Sequence, residues 1–420
     1  LGVVLGGWLG LILAELDLFS LSSLAVLWLV VFLLLLALAI FRKGQTEMRY
    51  RLQTAGDQGS QQADSIGERL FVVLFVLWLF VAAWLYFRPH EYILGGADAG
   101  VYISFGAEIA QNGGFGVQDK TLANMDPALR DVFLRPMTAN PVAASYLVPG
   151  FYVVDAAAGA VTPQFYPMHP IWQAVAFSLG NSIEEGVRSE LLISGLWMAL
   201  ASVAVILTAR ELGGWLAALL TMVALALAAL QVWFARYPTT EALTQFLLWS
   251  GLWALIRWLG GEKPASLWAL VSGATLGAVF LVRIDMLVLL PVFVILGVGL
   301  WLRGWCKSDW WFAVPFSLLV IHSFFHGALF SAPYFSEHIG FGLRLLWVNW
   351  WIIVLALCGS VLALFLLSRY RSRYTDLLRF RSPFFLIVIG AFLVYACYGW
   401  FVRPVILEAS LRPDTYSESL

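Results

Sequence analysis

The stretch Leu70-Phe71-Val72-Val73-Leu74-Phe75-Val76-Leu77-Trp78-Leu79-Phe80-Val81-Ala82-Ala83-Trp84-Leu85-Tyr86-Phe87 decides the fold. Its 18 residues carry no charge. As a helix it extends roughly 27 Å, close to the thickness of a bilayer core. Arg88 ends it, and ten residues further on the chain reads Asp98-Ala99-Gly100-Val101-Tyr102 after Gly95-Gly96-Ala97. A membrane span that runs directly into a polar, glycine-rich segment frames the reading of everything around it.

Composition agrees. The 420 residues are 61% hydrophobic and 12% charged, against about 25% charged in soluble domains. The net charge of −1 argues against a nucleic-acid partner. Twenty Trp and thirty Phe fit aromatic belts at the membrane interface. Cys306, Cys358 and Cys397 form no framework in the long loop and read as core filler.

The fold class expected is all-α and polytopic, with eleven spans near 1–15, 20–41, 70–87, 190–209, 213–234, 240–257, 265–282, 286–302, 310–328, 346–368 and 383–402. One long loop, 88–188, breaks the series. It reads as ordered, with an interfacial helix over 170–180 that Pro170 starts. Residues 1–41 form an N-terminal hairpin, 42–69 an inner loop, 261–402 the C-terminal spans, and 403–420 an outer tail that reads as truncated. Leu1 in place of Met implies that the chain begins inside something longer.

Basic residues orient the spans. Arg42, Lys43, Arg49, Arg51 and Arg69 cluster in the loop 42–69. Arg369, Arg371, Arg373, Arg379 and Arg381 cluster in another. The positive-inside tendency puts both loops inside, with the N-terminus, in a plasma membrane. The long loop then lies outside. Asp98, His169, Arg236, Glu241, Arg283 and Asp285 gather at the outer face, and so do all five histidines.

Each of these positions carries a structural as well as a chemical reading. Asp98 sits near the start of a short helix, where it is either an N-cap or a carboxylate poised at headgroup depth. His169, in Tyr166-Pro167-Met168-His169-Pro170, is either a helix-start histidine or a shuttle, metal ligand or phosphate contact. Arg236-Tyr237-Pro238-Thr239-Thr240-Glu241 is an outer turn. Its Arg236 either snorkels or holds a phosphate, while Glu241 opens the next helix. Arg283-Ile284-Asp285 interrupts an apolar run, and an Arg so placed needs a partner or a cavity. Two positions apart on a helix, Arg283 and Asp285 are expected to have separate partners. His322 and His326 share a helix face at zinc-site spacing, but no Glu follows the first His. Two interfacial histidines are the simpler reading, and a divalent metal is the only cofactor left open. No phosphate-binding Gly-rich loop with Lys, Gly-x-Ser-x-Gly or Cys-x-x-Cys occurs.

Taken in order, these motifs resemble the GT-C polyprenyl-phosphate-sugar glycosyltransferases, which include protein O-mannosyltransferases and lipid A aminoarabinose transferases. The carrying residues are Asp98-Ala99-Gly100-Val101-Tyr102, His169-Pro170, Thr208-Ala209-Arg210-Glu211-Leu212-Gly213-Gly214 and Arg236-Tyr237-Pro238-Thr239-Thr240-Glu241. The similarity covers roughly 70–260, which becomes the expected catalytic core. It implies inverting transfer of a sugar from a lipid-phosphate carrier to a lipid, glycan or protein acceptor at the outer face. Asp98 matches the family's base. Many members have an acidic residue next, where this chain has Ala99. The hairpin 1–41 looks like an addition to the family pattern. Inverting transfer also needs a cation to stabilise the departing phosphate, and on that demand Arg236 or Arg283 is expected to hold the carrier phosphate. Around them Tyr102, Tyr237, His169 and Glu241 shape the pocket, and Asp285 orients an Arg. A transporter or flippase of a lipid-linked substrate and a non-catalytic subunit of a membrane complex are the alternatives.

Overall fold

The computed structural model describes residues 1–46, 65–90, 98–137, 144–148 and 150–339, with side chains from 35 to 46 and at 65 and 66 excluded. The expected spans 346–368 and 383–402, the tail 403–420 and most of the loop 42–69 lie outside the described residues. The chain forms two compact units. The first holds Leu1–Pro291 and the described residues from Cys306 onward, and the second holds Val292–Trp305.

Helix predominates. The chain opens with α1 (Gly2–Glu15) and α2 (Leu21–Thr46), then α3 (Ser65–Tyr86). On α3, Phe71, Trp78, Ala82 and Tyr86 are buried, and Val72, Val76, Leu77, Phe80 and Trp84 are exposed. The buried set recurs at helical spacing and makes one stripe. Among its contacts, Trp78 donates from Nε1 to the Met222 carbonyl at 3.0 Å. The exposed set presents a continuous apolar face of the kind that meets lipid.

The long loop is ordered and belongs to the first unit. It contains α4 (Asp98–Asn112), β1 (Val117–Gln118), α5 (Lys120–Ala123), α6 (Pro127–Phe133), β2 (Arg135–Pro136), β3 (Tyr146–Val148), β4 (Phe151–Asp155), β5 (Ala160–Pro163) and α7 (Met168–Phe177). The five strands pair antiparallel in the order β1-β5-β4-β3-β2. This sheet corrects the all-α expectation. Phe151-Tyr152-Val153-Val154 is an aromatic and β-branched run suited to a pleated surface. Gly150 and Gly159, with φ of 84° and 68°, supply the turns that flank it.

The interfacial helix expected over 170–180 is also corrected. Helix α7 is packed inside the unit, with His169, Ile171, Gln173 and Ala174 fully buried. It meets α1 across a glycine face. A Cβ on Gly7 would approach Met168 Sδ to 2.5 Å, and one on Gly10 would approach Ile171 Cγ2 to 2.7 Å. The N-terminal hairpin is therefore built into the core at α1 rather than appended to it. The turn after α1 is clamped as well, because the Phe19 N–H donates to the Gly113 carbonyl at the end of α4 (2.9 Å).

Helix α8 (Ile183–Leu227) merges two expected spans. It breaks direction at Gly214, whose φ of 72° and ψ of −169° are not helical. The expected turn near 210–213 is that kink. The second expected span, 213–234, is interrupted at Ala228, after which α9 (Ala229–Arg236) begins. Then come α10 (Glu241–Leu259), α11 (Ala265–Val282), a 3-10 turn over Ile284–Leu289, α12 (Leu290–Arg303) and α13 (Lys307–Leu329). Helices α11 and α13 approach closely because Gly273 and Gly277 face α13. A Cβ on Gly273 would come within 2.2 Å of the Phe312 carbonyl. Small residues at such crossings are how helices pack when lipid supplies no hydrophobic drive.

Among the described residues, five helical segments are long and apolar enough to cross a membrane: Gly67–Tyr86, Ile183–Leu227, Ala265–Val282, Ile284–Arg303 and Lys307–Leu329.

Candidate functional site

One cavity of about 230 Å3 collects residues from five parts of the first unit. Helix α4 contributes Asp98 and Tyr102, and the approach to α7 contributes Phe165 and Tyr166. The turn into α10 contributes Thr239, Thr240 and Glu241. The end of α11 and the 3-10 turn contribute Val282 to Asp285, and the helical residues 332–339 contribute Tyr334 and His338.

The polar side of this cavity is organised by Arg283. Its Nε donates to Asp285 Oδ1 at 3.0 Å and its Nη2 to Asp285 Oδ2 at 2.9 Å. Its Nη1 donates to Glu241 Oε1 at 2.7 Å and to Thr240 Oγ1 at 3.1 Å. A guanidinium has five N–H donors, so these four bonds leave one. On the acceptor side, Glu241 Oε2 and Thr239 Oγ1 are buried with no hydrogen-bond partner among the described residues. Asp98 is exposed at the first position of α4.

The opposite side is aromatic. Tyr102 stacks on Phe165 with ring centres 4.6 Å apart. Tyr334 meets Phe165 and Tyr166 edge-on at 6.0 Å each. Burial pushes the Tyr334 hydroxyl up to about 12, and burial likewise raises Tyr102 and Tyr166. All three phenols are therefore neutral donors over the physiological range.

His169 stands behind Tyr102, its ring edge-on at 5.4 Å, and does not line the cavity. Burial lowers its pKa to about 3, and the nearby Pro238 carbonyl only partly offsets this. It is a neutral imidazole supporting Tyr102, not a cationic phosphate contact.

Asp98, Tyr102, Glu241, Arg283 and Asp285 thus come together as the sequence suggested. Arg236 does not join them. Its Nε donates to the Leu85 carbonyl at 2.7 Å, and its own carbonyl accepts from the His90 N–H at 3.1 Å. It ties α9 to the end of α3. Tyr237 packs beside Trp233 at 5.8 Å and is not a lining residue either. The separate partners expected for Arg283 and Asp285 are corrected too, since each is the other's partner. His322 and His326 meet around Glu15, with His322 Nε2 at 2.9 Å and His326 Nδ1 at 2.8 Å from its oxygens. No group of three His, Cys, Asp or Glu able to hold a metal ion occurs among the described residues.

Sequence reasoning missed Thr239, Thr240, Phe165, Tyr166, Tyr334 and His338. Thr239, Thr240 and Tyr166 lie inside motifs that had been read for their charged or ionisable members, and Phe165 immediately precedes one. Tyr334 and His338 have no local signal, because only the return of the chain after α13 brings them to α4.

Fold and site together define a helical membrane protein with a polar cavity at the ends of its helices. No protein-family model, curated protein or solved structure matches the chain.

Proposed function

We propose that the protein is a multi-pass membrane glycosyltransferase of GT-C type, moving a sugar from a polyprenyl-phosphate carrier to an acceptor at the outer face. The observation that carries this reading is the cavity itself, whose lining includes Asp98, the guanidinium that Asp285 and Glu241 hold, and several aromatic side chains. Carboxylates and a threonine hydroxyl suit the hydroxyls of a sugar, while Tyr102, Phe165 and Tyr334 suit its C–H faces. In the proposed step Asp98 removes the acceptor hydroxyl proton as that oxygen bonds to the anomeric carbon. The bond from carbon to the carrier phosphate breaks, and the phosphate leaves with the electron pair. The remaining N–H of Arg283 faces the departing oxygen, and Asp285 and Glu241 hold that Arg rigid. A base on one side and a cation on the other are what such a displacement requires. The eleven-span topology, with the N-terminus inside a plasma membrane, belongs to this proposal.

Mass spectrometry of lipid co-purified with the protein tests the reading. A polyprenyl-phosphate sugar is expected with the wild type and is expected to be lost in Arg283→Ala. Identical lipid profiles for the two proteins, without such a species, would overturn it.

One observation favours the carrier reading instead. Glu190 on α8 is fully buried, with neither carboxylate oxygen partnered among the described residues, and ionisable groups inside spans often mark transport paths. Asp98→Asn separates the two readings. A glycosyltransferase loses product formation, whereas a carrier still moves labelled lipid across proteoliposomes.

A further inference from the structure

We infer that Glu15, on the N-terminal helix, is a positioning residue for the cavity wall formed by Tyr166 and Tyr334. It acts through His326. The inference rests on the cavity being the functional site, and not on the identity of the substrate.

The bonding is determined from one end to the other. Trp8 Nε1, which can only donate, donates to His322 Nδ1 at 2.7 Å. The His322 proton must therefore sit on Nε2, which faces Glu15 at 2.9 Å. From the other side His326 Nδ1 faces Glu15 Oε1 at 2.8 Å. A carboxylate can only accept, so His326 Nδ1 carries the proton toward Glu15, and the Ser331 hydroxyl, 3.3 Å from Nε2, can donate there. One carboxylate thus accepts from two imidazoles, the tautomer of His322 set by Trp8 and that of His326 by Glu15 itself. The same bonding argues against a metal, because an imidazole that accepts from Trp8 at Nδ1 has no free Nε2 lone pair to give.

This chain of bonds ends against the cavity. His326 is 1% exposed, and Tyr166 meets it edge-on at 6.1 Å. Gly327, the next residue, is pressed between the Tyr166 hydroxyl and the Phe335 ring. A Cβ there would come within 2.7 Å of the first and 2.3 Å of the second. Ser331 starts the segment that carries Tyr334. Moving the His326 ring would disturb Tyr166 directly, and Tyr334 through the Tyr166–Tyr334 ring contact and through Ser331. The spacing of His322 and His326 is thereby explained, since both rings must reach a carboxylate on another helix.

The test reads wall position directly and needs no turnover. A protein with Cys306, Cys358 and Cys397 replaced by Ser carries Tyr334→Cys as a reporter. Its labelling rate by a membrane-impermeant maleimide is measured with Glu15 intact and with Glu15→Gln. A Gln can accept from only one of the two imidazoles, so labelling is expected to accelerate about tenfold, and Glu15→Asp is expected to return most of the wild-type rate. A second reporter, Val154→Cys on the exposed side of β4, should not change, which separates local loosening from unfolding. If Glu15→Gln fails to fold, Trp8→Phe removes only the outer donor and should give a smaller acceleration of the same sign. Equal Tyr334→Cys rates in the parent and in whichever variant folds would sink the inference while leaving the glycosyltransferase reading untouched.

Discussion

Arg283 holds Asp285 with two parallel hydrogen bonds, Nε to Oδ1 at 3.0 Å and Nη2 to Oδ2 at 2.9 Å, although only one residue separates them. Helical geometry forbids such a pair. It forms here because α11 stops at Val282 and Arg283 is extended, with φ −144° and ψ 131°, ahead of the 3-10 turn that begins at Ile284, so the pair spans a break between two helices. The end of the helix thus converts a sequence pair into a bidentate clamp, and it leaves Nη1 directed at Glu241 and Thr240.

Arg283→Lys should keep the charge and lose the fork. Lys offers a point charge with no planar donor pair, so Asp285 and Glu241 cannot both be held in their present places. Catalysis is expected to fall about 100-fold, the scale seen when one preorganised donor is removed. Stability should fall only about 1 kcal/mol or less, because the Asp285 side chain is 55% exposed and solvent screens the pair. Transfer assays beside thermal melts check both. A variant with full activity would remove Arg283 from the proposed step.

Asp98→Asn removes the charge and keeps the shape. Asp98 is the exposed first residue of α4, so the variant should melt within about 0.5 kcal/mol of the wild type. Loss of the base is expected to reduce transfer by about 10²–10⁴-fold. Equal activity in the two proteins would leave Asp98 as a cap.

Much of this architecture was legible because bilayer physics writes it into hydropathy. Leu70 to Phe87 could only be a span, and Gly214 marks a break that the Arg210–Gly214 turn signals anticipated. The sheet was harder to see. Its strands are two to five residues long, too short for period-two alternation to stand out. In the site, Asp98, Glu241 and Arg283 were found because charge is conspicuous in apolar sequence. Arg236 was equally conspicuous and serves a carbonyl instead, since a charged group at a helix end finds the nearest acceptor. Tyr334 and Glu15 were illegible because their roles depend on contacts with residues far away in the sequence.

His169 supplies a pH signature. Its folded pKa lies near 3, below the ordinary 6.5, because burial disfavours the imidazolium. Below pH 6.5 the unfolded chain therefore binds a proton that the folded chain does not, and stability rises with pH across that window. The contribution is complete above about 6.5 and is lost as pH falls toward 3. Melting temperature should drop on acidification through this range, and His169→Gln should flatten the slope there while weakening support for Tyr102. Parallel slopes for the two proteins would show that the imidazole titrates freely.

Gly106 sets the spacing of the helices that carry the site. A Cβ at this position of α4 would lie 2.4 Å from Glu190 Oε1, 2.5 Å from Gln173 Cβ and 3.3 Å from the Ala174 amide nitrogen. The carboxylate is the end of a flexible side chain and can swing away. Gln173 Cβ cannot, because it is fixed to the backbone of α7, so α4 and α7 must separate. Overpacking of this kind costs about 1–3 kcal/mol. Since Tyr102 lies one turn before Gly106 and His169 one turn before Gln173, the separation should also loosen the contact between those two rings. Gly106→Ala is therefore expected to lower both the melting temperature and activity. Adding Glu190→Ala should recover only part of the stability, because the contact with Gln173 persists. Full recovery in the double variant would identify the carboxylate, and not the α7 backbone, as what requires glycine here.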